Sequence, residues 1–315
     1  MRKYLTVIFA ALLFFSCTST EYITLEDRGE KMVLTGQWAD TDTTHLLYVG
    51  VVDRKGVHPL DDATVSLTIN NGTPVPGVLL SSGTLYTSDS DYFGSDEGDA
   101  SKLTAFVFDC DFAAGDKIKV SAKSATLGAS ASLVCPAKPI VVSCDTTHTR
   151  QIVSLDSEPE ERVNVRLKIR DLPSEVNFYR LTLYSRYYLE YLHTMVMEPT
   201  WLDYSSEPIL GGGGQGGSDS LLGDITGTVN NYCLFDDYSF RDGEYTLRVS
   251  YEEWNEDSSY LLYLYTVSFD QFHYLKALDT VSESSFFSEP VSMPSNIEGG
   301  LGFISLDAAT AIKLK

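Results

Sequence analysis

Apolar and polar residues alternate with a period of two along most of this chain. In "RVNVRLKIRD", Val163, Val165, Leu167 and Ile169 fall on one face, and Asn164, Arg166, Lys168 and Arg170 on the other. That is the pattern of a strand with one wet face. "ATVSLTI" at 63–69, "DKIKVSA" at 116–122, "FYRLTLYSRYY" at 178–188 and "EYTLRVSYEEW" at 244–254 repeat it. "HLLYVGVVD" at 45–53 and "YLLYLYTVSF" at 260–269 are more continuously apolar, as strands near a core centre are. Turn signals at Asn70-Asn71-Gly72, Ala114-Gly115-Asp116 and Asp242-Gly243 break the runs at close intervals. One segment has helical spacing instead: Asp270 is placed as its N-cap, and Phe272, Leu275, Leu278 and Val281 recur every third residue. The pattern predicts an all-β protein of two β-sandwich domains, the first immunoglobulin-like, the second larger with one short helix.

The expected boundary lies in "CPAKPIVVSCD", 135–145, where Pro136 and Pro139 stiffen the exit from the first unit. The first sandwich is then 24–137 and the second β-rich domain 138–315. "GGGGQGGSDS" at 211–220 has little side chain to pack and reads as a surface loop. It lacks both the Lys-Ser/Thr ending of a Walker loop and the spaced glycines of a dinucleotide site.

The N-terminal segment has a different pattern. Arg2 and Lys3 precede the uncharged, largely apolar run Tyr4 to Phe15, which is shorter than the roughly 20 residues of a membrane-spanning helix. The run closes on Ser16-Cys17, a small residue directly before a cysteine. The expectation is a lipoprotein signal peptide over 1–16, lipidation of Cys17, and a tether over 17–23. The alternative is an ordinary signal peptide whose cysteine falls there by chance. Acyl chains add about 0.8 kcal/mol per buried methylene, so a lipidated Cys17 would hold the chain at a membrane.

Composition narrows the partners. The 315 residues carry 23 Lys and Arg against 44 Asp and Glu, a net charge of −21. So acidic a chain argues against nucleic acid and against adsorption to anionic lipid. With Cys17 set aside, Cys110, Cys135, Cys144 and Cys233 remain, an even number that permits two disulfides in an oxidising compartment. Cys135 and Cys144, close in sequence, are the first candidates for a local bridge; buried unpaired thiols are the alternative.

Candidate chemistry is sparse. The five histidines are dispersed, no CxxC occurs, and neither a metal site nor a cofactor is expected. In "DSDYFGSDEGDAS", 89–101, Asp89, Asp91 and Gly94 match the opening of a calcium loop. Phe93 then takes a ligand position and Ala100 stands where the bidentate Glu belongs, so an acidic surface loop is expected and calcium is left open. Glu160-Glu161 and Glu252-Glu253 are neighbours in strands and point to opposite faces. With no GxSxG elbow either, the chain is read as not an enzyme; a cryptic hydrolase would show titratable residues converging in a cleft. The aromatic residues Tyr184, Tyr187, Tyr188, Tyr191, Trp201 and Tyr204 are the candidates for ligand or partner contact. Ordinary cross-strand packing is the competing role.

The C-terminal stretch "SEPVSMPSNIEGGLGFISLDAATAIKL" carries a family likeness. Ser295-Asn296-Ile297, Gly299-Gly300 and Gly302-Phe303 resemble the closing motif of a Bacteroidota lipoprotein family catalogued as domain of unknown function 4249. Other landmarks fall in the same order: Val33-Leu34-Thr35-Gly36, Asp62-Ala63-Thr64-Val65, Ala114-Gly115-Asp116 with Val120, Phe178-Tyr179-Arg180, Phe240 to Gly243, and Phe272 to Leu275. Asp62 replaces a glycine preferred in the family, and the glycine loop is longer than usual. The resemblance implies an exported outer-membrane lipoprotein, facing periplasm or exterior, associated with a TonB-dependent transporter as a non-catalytic binding or accessory component. It brings no catalytic residues. A surface adhesin or pilus-type component is the alternative, with the strand Gly302 to Ile312 as its donor-like segment. For the terminal glycines, the expected role is a tight turn and close strand approach.

Overall fold

Strands form where the alternation predicts them. The structure, a computed structural model, describes residues 29–85, 102–151, 160–172, 176–190, 193–211, 230–240, 243–253, 258–282 and 292–314. Cys17, Tyr191, the acidic loop 89–101 and the glycine loop beyond Gly211 lie outside the described residues. The described residues form eighteen strands, β1 to β18 in chain order. Ten make one long sheet: β13 (Thr194–Thr200), β12 (Phe178–Leu189), β16 (Ser259–Val267), β18 (Gly300–Lys313), β1 (Lys31–Ala39), β2 (Thr44–Asp53), β7 (Lys102–Asp109) and β6 (Val78–Leu85) in spatial order, with β14 (Leu234–Asp236) paired to β12 and β3 (Gly56–Pro59) to β2.

Two smaller sheets pack on this one. β17 (Ile297–Glu298), β9 (Gly128–Val134), β8 (Lys117–Lys123), β4 (Thr64–Ile69) and β5 (Val75–Pro76) form the first. Its residues Val65, Leu67, Ile118, Val120 and Ala131 meet Leu34, Leu47, Val49 and Phe108 of the long sheet in one core. β10 (Ile140–Gln151), β11 (Glu160–Arg170) and β15 (Glu244–Glu252) form the second. The alternating set Val163, Val165, Leu167 and Ile169 of β11 there meets Tyr179, Leu181, Leu183, Leu262 and Leu264. Each fully buried aliphatic side chain contributes about 1.5–3 kcal/mol, so both layers have substantial cores. The fold is all-β, two sandwich cores built against one continuous sheet.

The helix α1 (Phe269–Ser282) lies on the opposite face. Its cap is Ser268, one residue before the helix, rather than Asp270. The Ser268 hydroxyl accepts the Gln271 N–H at 3.1 Å and its carbonyl accepts the Phe272 N–H at 2.9 Å. Asp270 sits in the first turn, where a carboxylate favours the positive end of the helix dipole. Phe272 and Leu275 bury against Tyr265, Val267 and Ala309, while Val281 is 44% exposed and ends the apolar face early.

β18 ties these parts together. It pairs in parallel with β1 from Met32↔Gly300 to Ala39↔Asp307, then antiparallel with β16 from Thr266↔Ala308 to Leu261↔Lys313. Phe303 to Ala309 is buried without a break, as a strand covered on both faces must be. Ile304 and Leu306 enter the first core and Ile312 packs on the second. Residues 32–135 therefore share the first core with Ile297, Ile304 and Leu306, which return to it after the chain has built the second.

The terminal motif explains how this pairing closes. A Cβ on Gly300 would sit 2.6 Å from the Met32 carbonyl oxygen, and one on Gly302 would collide with the Leu34 carbonyl. Gly302 also has φ +103°, a conformation L side chains rarely adopt. The Asn296 side chain donates to the Ile304 carbonyl at 2.7 Å and accepts the Ile304 N–H at 3.0 Å. It thus supplies the hydrogen bonds of a neighbouring strand where β16 has not yet begun. Ser295 Oγ donates to the Gly302 carbonyl at 2.8 Å, and Ile297 drops into the first core. Asp40, just after β1, accepts the Ala309 N–H at 2.9 Å, and Thr310 Oγ1 donates to the Pro139 carbonyl at 2.9 Å, fastening the junction segment to β18.

Gly302→Ala is expected to destabilise the protein by about 3 kcal/mol or more, read as a lowered urea midpoint. Gly56→Ala, with φ +124° but nothing within 4 Å of the added Cβ, should cost only about 1 kcal/mol. Equal effects would contradict the close strand approach.

Candidate binding surfaces

The strand β12 sends alternate side chains to opposite faces. Tyr179, Leu181 and Leu183 fill the second core, which leaves Arg180, Thr182 and Tyr184 on the helix side of the sheet. Tyr184 is half-buried, with its ring edge-to-face on Tyr263 at 5.6 Å. It borders a cavity of about 160 Å³ between α1 and the sheet.

Farther along, β12 and β13 leave the body of the sheet as a hairpin. Tyr188 is opposite Met195 and Arg186 opposite Met197, so these four share a face. Tyr188, Met195 and Met197 are 53%, 47% and 50% exposed. On the other face the Tyr187 hydroxyl donates to Glu198 Oε2 at 2.8 Å. Tyr187, Glu198, Tyr260 and Trp201 line a shallow hollow of about 350 Å³ there. The segment that carries Trp201 is pinned to β15: Asp203 and Ser250 exchange both backbone hydrogen bonds at 2.7 and 2.8 Å, and Arg162 contacts Asp203 Oδ2 at 2.5 Å.

Tyr204 does not belong to this surface. It is 1% exposed in the second core, and its hydroxyl donates to the Asn230 carbonyl at 3.1 Å. Its polar tip is taken up by the chain's own backbone rather than left to meet a partner. Of the six aromatic candidates, then, Tyr187 and Trp201 meet on one face of the hairpin and Tyr188 stands on the other, Tyr184 opens onto the helix side, Tyr204 is core, and Tyr191 lies outside the described residues.

The expected Cys135–Cys144 bridge is not formed; the described cysteines, Cys110, Cys135, Cys144 and Cys233, are all free thiols. Cys135 belongs to the first core and Cys144 packs on the second, at opposite ends of an extended stretch. Nine extended residues span up to about 30 Å, whereas a disulfide needs Cα atoms within about 7 Å. Burial pushes the Cys135 thiol up to about 11 and also raises Cys144 and Cys110. These thiols stay protonated at neutral pH, which makes them poor nucleophiles.

Residues missed by the sequence reading are the polar ones beneath α1. Arg180 and Asp307 face each other there at 3.5 Å, Gln271 Nε2 donates to Asp307 Oδ2 at 3.1 Å, and the Arg180 guanidinium lies 4.6 Å above the Tyr265 ring. The available signal was a charge inside an apolar run: Asp307 interrupts "GFISLDAATAI" and Arg180 interrupts "FYRL". Two carboxyl groups also meet away from both hollows. Burial, then hydrogen bonding and repulsion from Asp237, raises Asp171 above the usual carboxylate range. Asn177 bridges the pair, donating from its backbone N–H and side chain to Asp237 Oδ2 at 2.9 and 2.8 Å. That arrangement ties Asn177, just before β12, to the short turn after β14. Among the described residues, no group of three or more His, Cys, Asp or Glu is placed to hold a metal. The Gly211 end of the glycine run has a defined role: with φ 92° it caps the short turn Pro208–Leu210.

Residues 20–311 match the family model described as Domain of unknown function (DUF4249). No curated protein matches the chain.

Denaturing the purified protein without reductant should expose all four thiols, Cys110, Cys135, Cys144 and Cys233, to a thiol-counting reagent. Two reactive groups where four are expected would reinstate a disulfide.

Proposed function

The chain belongs to the DUF4249 family, and on that premise we propose that it is a lipid-anchored, non-catalytic binding component of the cell envelope. Its anchor is Cys17, and its partner is a TonB-dependent outer-membrane transporter that it serves as an accessory. The observation that carries the binding role is the hairpin β12–β13. It stands at the end of the long sheet, and on one face of it Tyr188, Met195 and Met197 are 47% to 53% exposed beside Arg186. Tyr, Trp, Met and Arg are the residues enriched in protein interfaces, and a cluster of them on an edge hairpin favours a protein partner. The association with a transporter is supported by the resemblance in the terminal motif, and the anchor by Cys17 at the end of the apolar leader.

The pilus-type alternative requires a strand that can be donated to another chain. β18 is instead hydrogen-bonded to β1 and to β16 within its own chain, which favours the accessory reading.

Pull-down of the native lipoprotein in mild detergent should recover a TonB-dependent transporter in near-equal amount. Met195→Asp combined with Met197→Asp should abolish recovery without changing the thermal midpoint, because both side chains are half-exposed. Repeated absence of the transporter under inducing conditions, or full recovery by the double variant, contradicts the proposal. Cys17→Ala should move the protein from membranes to the soluble fraction; persistent membrane association refutes the anchor.

A further inference from the structure

We propose that the cavity between α1 and the long sheet binds one ring of a neutral saccharide. This is independent of the hairpin and its partner.

Size is the first constraint. The cavity holds about 160 Å³, below the roughly 300–1,000 Å³ of sites for drug-sized ligands. That suits a single substituted six-membered ring rather than a larger ligand.

Charge is the second. Arg180 and Asp307 line the cavity, and their side chains are 14% and 5% exposed. They face each other, and the guanidinium also rests on Tyr265. This pair balances itself, so a charged ligand entering beside it would find no surplus counter-charge and would pay its own desolvation. The exposed Asp42 stands at the wall and adds no positive charge that could hold an anion.

Hydrogen bonding is the third. Gln271 is 3% exposed and lines the cavity. Its Nε2 is held by Asp307, while its Oε1 is buried with no hydrogen-bond partner. Such an orphaned acceptor is unfavourable, and a ligand hydroxyl reached by a small rotation of the amide would satisfy it. A planar amide, a carboxylate and a guanidinium side by side offer paired donors and acceptors, which match vicinal hydroxyls. Ser305, opposite Gln37 in the parallel pairing, adds a hydroxyl.

The walls are the fourth. Tyr184, Tyr265 and Tyr274 surround the polar groups, and Tyr274 is fixed by stacking on Phe303 at 4.3 Å. Aromatic faces with polar tips suit a ligand whose ring has an apolar face and a hydroxylated rim. Burial raises the Tyr265 and Tyr274 hydroxyls above their ordinary value, so both remain neutral donors.

The test is isothermal titration of the full chain in detergent with D-glucose, D-galactose and D-mannose, and with L-lysine and L-glutamate as charged ligands of similar size. The expected result is saturable binding of at least one sugar and of neither amino acid. Gln271→Leu and, separately, Tyr184→Ala should each weaken that binding by about tenfold, with circular dichroism unchanged. Tyr184 is half-buried beside the cavity, so its variant keeps the test open should Gln271→Leu fold poorly. No saturable binding by any sugar, binding of an amino acid in its place, or unchanged affinity in both variants overturns the proposal.

Discussion

The parallel pairing of β1 with β18 is the contact on which the rest of the structure depends. It joins the first described strand to the last and places both in the middle of the long sheet. Parallel neighbours need a crossover, and here the crossover is almost the whole protein. The closure is demanding because backbone meets backbone with no space for a side chain at Gly300 and Gly302. The Ser295-Asn296-Ile297 segment completes it. Asn296 stands in for a missing strand, and Ile297 anchors the approach in the first core.

From that pairing follows the division of labour across the sheet. One side of β18 is spent on packing, with Ile304 and Leu306 in the first core and Ile312 at the second. The other side meets the helix through Phe303 and Ala309, and between them lie Ser305 and Asp307. Polar groups survive in this buried position because they have each other: Asp307 holds Gln271, faces Arg180, and Arg180 rests on Tyr265. A cavity lined in this way comes from the same strand that unites the two cores. The hairpin β12–β13, by contrast, extends past the region the cores cover and keeps its apolar side chains in contact with solvent.

Much of this was legible in residue patterns. Alternation marked β4, β8, β11, β12, β15 and the more apolar β2 and β16, because a half-buried strand cannot hide its period. The terminal motif announced itself too, and its glycines have the role expected of them. Long-range features were not legible. Nothing local to Met32 names Gly300 as its partner, and nothing in the spacing of Cys135 and Cys144 reveals that an extended segment carries them into different cores. Ser268 outcompeted Asp270 as helix cap, two positions away, a distinction that propensity does not resolve. Tyr204 has the same composition-level signal as Tyr188, yet one is core and the other surface. For the site, aromatic content pointed to the hairpin, whereas the cavity depends on Arg180, Gln271 and Asp307, drawn together from three separate elements.

Native-state hydrogen exchange of the full chain measures this coupling most directly. If β1 and β18 unite the two cores, their amides exchange only through the largest opening, with the same free energy as the flanking strands β2 and β16. Protection in β18 markedly lower than in both β2 and β16, with the two halves opening at separate free energies, would contradict the account.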